Sequence, residues 1–282
     1  MAAKRGFQYA DCARMPKRER TVKFPKASEV KENVPKENIP YTCGVPKSIL
    51  NQIGDPKMVM AFKIETHGWP AIQSEKGHIG RFGFYTLKDH VTIAYARVVR
   101  IGWVTGGSRK DAPTVSKCYI VCPDEFEIEK KSIEFHGITT EKATLQGASS
   151  SEVLNEFVKD AMTVCNQGGI VTAHRIEFEA GIIYEELRRC GLYKLQEQWN
   201  TIVRRGFCAM DPSFGRWLLQ CHGEDVGPDT VQHALGFKKV VDLILPQQYK
   251  PKHQDTEYNV KLCWMIFVEL MEKVRVQKND QP

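Results

Sequence analysis

Chemistry-bearing side chains gather at three places in this 282-residue chain. The first is the end of Met58-Val-Met-Ala-Phe-Lys-Ile-Glu-Thr-His67, an apolar run that closes on Lys63, Glu65, Thr66 and His67. The second is Ala173-His-Arg-Ile-Glu-Phe-Glu-Ala-Gly181, which carries His174, Arg175, Phe178 and Glu179. The third is Lys252-His-Gln-Asp-Thr-Glu-Tyr-Asn-Val260, with His253, Gln254, Asp255 and Asn259. Carboxylates and imidazoles of this kind transfer protons or hold divalent cations. Lys63 is the discordant member, an ammonium in an otherwise acidic and hydroxylated tip.

The elements that must position these groups follow from hydrophobic patterning. Residues 58–66 form a continuous apolar run of strand length, as expected of a strand buried on both faces. Ile79–Thr86, Val91–Val104 and Thr114–Val121 are rich in β-branched and aromatic residues, and Pro123 closes the last. They read as an antiparallel meander. Ser151–Val164 has helical spacing of apolar residues behind a serine-rich start, and Gly168-Gly169 ends it before a short buried strand, Ile170–His174. Phe178–Cys190 reads as an amphipathic helix stopped by Gly191. Arg216–Cys221 and Thr230–Leu235 read as shorter helices, and Thr256–Val274 as a long terminal one. Strands followed by helix–strand–helix alternation imply a mixed α/β sheet covered by helices.

Residues 1–57 carry Pro16, Pro25, Pro35, Pro40, Pro46 and Pro56, which block long helices, and the low hydrophobicity up to Pro40 implies an extended or disordered arm. Tyr41, Val45, Ile49, Leu50 and Ile53 equip its end to dock on a domain spanning 58–275, with 276–282 as a tail. Residues 1–40 hold ten Lys/Arg against five Asp/Glu, so +5 of the +6 net charge lies there and 30 − 29 = +1 remains for the rest. A basic arm can meet phosphates or act as an import signal, and Lys17-Arg-Glu-Arg20 has the short basic pattern of one. Arg204-Arg205 and Lys238-Lys239 read as solvated faces. The nine cysteines contain no C-x-x-C pair and read as reduced thiols of an intracellular protein. With no apolar leader and no run of 18 apolar residues, the expected compartment is cytoplasmic or nuclear, without a membrane span.

Four segments resemble the motifs of the DEDD 3′–5′ exonucleases, the family of RNase T and the polymerase proofreading subunit. They are Phe62-Lys-Ile-Glu-Thr66, Ile133-Glu-Phe-His-Gly-Ile-Thr139, and the runs from Ala173 and from Lys252 quoted above. Cys208-Ala-Met-Asp-Pro212 is similar to a further family segment, and the likeness covers about residues 58–273. The resemblance implies a ribonuclease-H-like fold, Mg²⁺ or Mn²⁺ as cofactor of any activity, and single-stranded nucleic acid or 3′ ends as partner. It also implies the roles. The metal-binding positions fall on Lys63, Glu65, Glu179 and Asn259, and the general-base position on Gln254, with His253 and Asp255 as neighbouring substitutes. Thr66 and His67 would grip a terminal nucleotide, Trp69 and Phe178 would stack on bases, and Arg175 would meet a phosphate. Phe178 equally suits a core anchor, His136 a loop-positioning role, and His174 a cap or core edge.

The motif positions depart from the family pattern together. Their charge sums to +1 − 1 − 1 + 0 = −1, where four carboxylates would give −4. An ammonium about 4 Å from a divalent ion costs roughly 8 kcal/mol at an effective dielectric near 20. The expectation is a salt bridge from Lys63 to Glu65, Glu179 or both in the metals' place, leaving at most a weak metal site on the two glutamates. Three functions remain open at this point: a nucleic-acid-binding or scaffold module of impaired catalysis, a purely protein-interacting subunit, and an active exonuclease with an atypical site.

Overall fold

The computed structural model describes residues 44–68, 95–224, 226 and 235–279. At its centre stands β1 (Met58–Thr66), flanked by β2 (Val98–Gly107) and β4 (Ile170–Ala173). With β3 (Thr114–Ile120) and β5 (Phe207–Cys208) they make one five-stranded sheet of order β3-β2-β1-β4-β5. β1, β2 and β3 run as the expected antiparallel meander, while β1–β4 and β4–β5 are parallel. A mixed sheet covered by helices is the architecture that the patterning implied.

Alternation along β1 sorts its side chains between two cores. Met60, Phe62 and Ile64 face the layer of α4 (Ser150–Asn166), α5 (Ile176–Arg189) and α6 (Tyr193–Val203). There Phe157 meets Phe62, Trp103 and Trp199 edge-on, at centroid distances of 5.5, 5.3 and 5.1 Å. Val59 and Ala61 face α9 (Thr256–Asn279), α7 (Pro212–Cys221) and α8 (Phe237–Ile244). Lys63 and Glu65 continue that second face, so the charged end of β1 points toward the start of α9. Opposite Lys63 on β2 lies Gly102, and opposite Glu65 lies Arg100.

β1 outruns its parallel neighbour. Pairing with β4 runs from Val59–Ile170 to Ala61–Thr172, and β4 stops at Ala173. The far half of β1 is therefore laddered on the β2 side alone, and an edge opens where the chemistry is expected.

Several sequence expectations shift. Ile79–Thr86, Trp69 and all but the last residue of Thr230–Leu235 fall outside the described residues. Of the strand expected over Val91–Val104, residues 91–94 lie outside the described residues; β2 begins at Val98, after a turn at Tyr95, and runs to Gly107. In the end of the arm expected to dock, Lys47–Ile53 is a helix, α1, set between Pro46 and Pro56, with Val45, Ile49 and Ile53 buried. Two short helices also arise beside the site, α2 (Lys130–His136) and α3 (Thr140–Gln146). α9 continues to Asn279, past the expected boundary at 275. No helix among the described residues is long and apolar enough to cross a membrane.

Phe157 joins three other aromatic rings, so Phe157→Ala opens a cavity that the sheet cannot close. It should lower stability by about 3–5 kcal/mol, read as a fall in the denaturant midpoint without a change of slope.

Candidate functional site

β1, α2 and the start of α5 enclose a cleft lined by Lys63, Glu65, Thr66, Arg175, Phe178 and Glu179, with Ser132, Phe135 and His136 completing its α2 wall. The motif segments at Phe62, Ile133 and Ala173 thus converge on one place, while no residue of the run from Lys252 lines it.

Each glutamate is held by a donor of the fold. The Thr256 hydroxyl donates to Glu65 Oε1 at 3.1 Å, and Arg100 Nη1 donates to that same hydroxyl oxygen at 3.2 Å. Because the arginine occupies a lone pair of the oxygen, the hydroxyl proton is directed at Glu65. Glu179 lies in the first turn of α5, and its Oε2 accepts the Ile64 N–H at 3.2 Å. That amide lies on the stretch of β1 that β4 fails to cover. Burial pushes the Glu179 carboxyl up to about 7; the Lys63 ammonium pulls against this, and the Glu65 charge reinforces it.

Lys63 is partly buried beside both acids. Burial works to lower its pKa, but the carboxylates of Glu65 and Glu179 together more than offset it, so the ammonium sits above its ordinary value. The expected salt bridge takes a different form. Lys63 is coupled to both glutamates through space, yet it makes no direct ion pair with either among the described residues. Thr256 and the Ile64 N–H instead each engage one carboxylate oxygen.

The remaining candidates fall into two groups. Thr66, Arg175 and Phe178 line the cleft, with the Arg175 guanidinium 4.7 Å from the Phe178 ring centroid. His136 lines it too, as a strut. Its Nδ1 accepts the Ile138 N–H at 3.1 Å, so Nε2 carries the proton and donates to the Thr66 carbonyl at 3.1 Å. Burial lowers its pKa accordingly.

The other group serves the scaffold. His67 turns away between Tyr95 and Phe126, and its Nδ1 accepts the Arg97 N–H at 3.0 Å. His174 is a core-edge residue; Nε2 meets the Leu235 carbonyl at 3.1 Å, and burial pushes its pKa down to about 3. His253 packs its ring on Phe135 at 5.5 Å. Asp255 caps the start of α9 by accepting the Tyr258 N–H at 2.9 Å. Gln254 adopts a left-handed backbone (φ 62°), lies over Gly137, and gives its carbonyl to Arg100 at 3.1 Å.

Asn259 is committed most completely. Its Oδ1 accepts the Lys252 N–H at 2.9 Å and its Nδ2 donates to the Lys252 carbonyl at 2.7 Å. This two-point clamp mimics a backbone pair and fixes the loop before α9. Arg100, Ser132, Phe135 and Thr256 also belong to the site; Phe135 and Thr256 stand inside motif segments without being singled out there, and only its register against Glu65 relates Arg100 to it.

The sequence matches no family model and no curated protein. Its architecture matches solved structures of exonuclease I. A product-bound exonuclease I aligns with a TM-score of 0.52 at 9% identity, over 79% of this chain and 46% of that one. Escherichia coli exonuclease I in complex with a dT13 oligonucleotide gives 0.54 at 11%, over 79% and 43%. Exonuclease I of the moderately thermophilic Methylocaldum szegediense gives 0.54 at 14%, over 77% and 40%. The chain spans less than half the length of each. At these identities the likeness establishes the fold, an exonuclease-type α/β architecture with a mixed five-stranded sheet.

Two outcomes follow from the site's geometry. Asn259→Ala strands the Lys252 N–H and carbonyl and should cost about 1–3 kcal/mol, with hydrogen exchange rising first at residues 250–255. Glu179 titrates near 7 when folded and near 4.5 when unfolded. Between these values the folded chain keeps a proton that the unfolded chain has released, so stability falls as pH rises through that window. Glu179→Gln, which keeps an oxygen for Ile64, should flatten the fall, worth roughly 3 kcal/mol in the wild type, in denaturation curves at about pH 5 and pH 7.5.

Proposed function

We propose that this chain is an exonuclease-fold module that binds single-stranded nucleic acid without cutting it. The observation that carries the reading is Lys63, a protein cation coupled to both glutamates that a divalent ion would need. Two-metal hydrolysis requires carboxylates that clamp two ions and a base that activates water. The residues present do not fit that pair of ions. Glu65 shares its charge with Thr256 and Lys63, Glu179 gives an oxygen to Ile64, and Asn259 is spent on Lys252. Among the described residues no three His, Cys, Asp or Glu side chains form a group able to hold a metal.

His253 and Asp255 give little support to a relocated catalyst, since one packs on Phe135 and the other caps α9. A nucleic-acid ligand is supported by the aromatic and cationic lining of the cleft, Phe178 and Phe135 with Arg175 and Lys63. The oligonucleotide complex of E. coli exonuclease I gives a fold-level precedent. A protein-scaffold role has no comparable observation behind it.

The test uses 3′-labelled single-stranded DNA and RNA with Mg²⁺ or Mn²⁺, with and without EDTA. A variant carrying Lys63→Asp, Glu179→Asp, Gln254→His and Asn259→Asp is run beside the native chain. The native chain should retain the strands and leave them at full length. Shortening of either strand that EDTA abolishes would overturn the reading.

A further inference from the structure

We propose that the cleft at the end of β1 grips a phosphate group of a nucleic-acid strand between the Lys63 ammonium and the Arg175 guanidinium, with no metal ion taking part. The inference rests on the nucleic-acid-binding reading above and names the chemical group that the cleft takes.

Donors and acceptors around the cleft are unequally engaged. Glu65 directs one oxygen to Thr256 and Glu179 directs one to the Ile64 amide, so both carboxylates are drawn into the scaffold. The cations are not. Among the described residues neither the Lys63 ammonium nor the Arg175 guanidinium has a hydrogen-bond or ion-pair partner, although both line the cleft. Arg175 rests against the Phe178 ring, which supports a guanidinium without using its N–H groups. A guanidinium supplies a fork that matches two phosphate oxygens, and an ammonium supplies a compact charge for a third.

The Arg175 charge acts to lower the Lys63 pKa, less strongly than Glu65 and Glu179 act to raise it. An anion seated between the two cations removes their mutual repulsion and must outweigh the field of the two glutamates. Neighbouring rings make a strand a better occupant than a free ion. Phe178 lies beside Arg175, and Phe135 on the α2 wall is 49% exposed, so a base attached to the phosphate has an apolar surface to meet. In a two-metal nuclease the ions would neutralise this phosphate. Here fixed side chains do so, and chelation is without effect.

The measurement is fluorescence anisotropy of 5′-fluorescein oligothymidylate, ending in a 3′-hydroxyl or a 3′-phosphate, with the full chain in EDTA across a salt titration. Wild type should bind. Lys63→Met and Arg175→Met should each weaken binding about tenfold and make the salt slope shallower by about 0.7, the increment for one contact on a single strand. Lys63→Arg should retain most of the affinity, and Lys238→Met, on α8 outside the cleft, all of it. Preference for the 3′-phosphate would assign the grip to a terminal monoester, equal binding to an internal diester. If Lys63→Met fails to fold by circular dichroism, Arg175→Met carries the test alone, since it leaves the glutamates and their donors in place. Unchanged affinity and slope in the folded cleft variants, or wild-type binding that requires Mg²⁺ or Mn²⁺, overturns the phosphate grip and leaves a nucleic-acid-binding module standing. Absence of wild-type binding to either strand overturns both.

Discussion

A backbone amide buried at the edge of a sheet has to find an acceptor, and at Ile64 that acceptor is Glu179. The need arises because β1 extends beyond the last residue with which β4 can pair. Meeting it brings a carboxylate out of water and raises its pKa, and a second buried carboxylate, Glu65, adds to the strain. Lys63 relieves both, from the same strand face as Glu65. The ammonium thus stabilises a pair of acids that the open edge of β1 has drawn together.

The start of α9 completes the arrangement from the opposite side. Arg100 touches both Thr256 and the Gln254 carbonyl, so one side chain orients the hydroxyl that meets Glu65 and anchors the loop before the helix. Asn259 closes that loop on Lys252, and Asp255 caps the helix. Every polar residue in this stretch has a scaffold task. A carboxylate restored at Asn259 would lose the donor to the Lys252 carbonyl and would face that oxygen instead, which is unfavourable. Rebuilding a metal centre here therefore competes with the loop that positions α9, and changing Lys63 alone does not resolve the conflict.

The sequence made β1, β3 and the helices of 14 residues or more legible, because their apolar periodicity is long enough to stand out. The seven- and eight-residue helices α1, α2, α3 and α8 escaped, since two turns give too few repeats, and the 11-residue α6 escaped as well. At the site, the meeting of Lys63, Glu65, Thr66, Arg175, Phe178 and Glu179 followed from motif order. What stayed hidden was the direction of each hydrogen bond. Thr256 and Glu65 are 191 residues apart in the chain, and no local pattern announces such a bond. Likewise, an asparagine aligned with a metal position gives no sign that its amide already copies a backbone pair with Lys252.

A metal ion and a lysine neutralise charge in different ways, and the difference bears on what such a cleft can do. A bound divalent ion keeps open coordination positions, acidifies water and leaves when chelated. An ammonium has no coordination site to offer and cannot turn water into a nucleophile, but it is present whenever the chain is folded. Lys63 is held charged by two acids that cannot move away, because each is bonded to the scaffold. Its three donors remain available, as do those of Arg175. On the proposed reading, a cleft so equipped exchanges metal-dependent hydrolysis for a cationic grip that is permanent and sensitive to salt rather than to chelators.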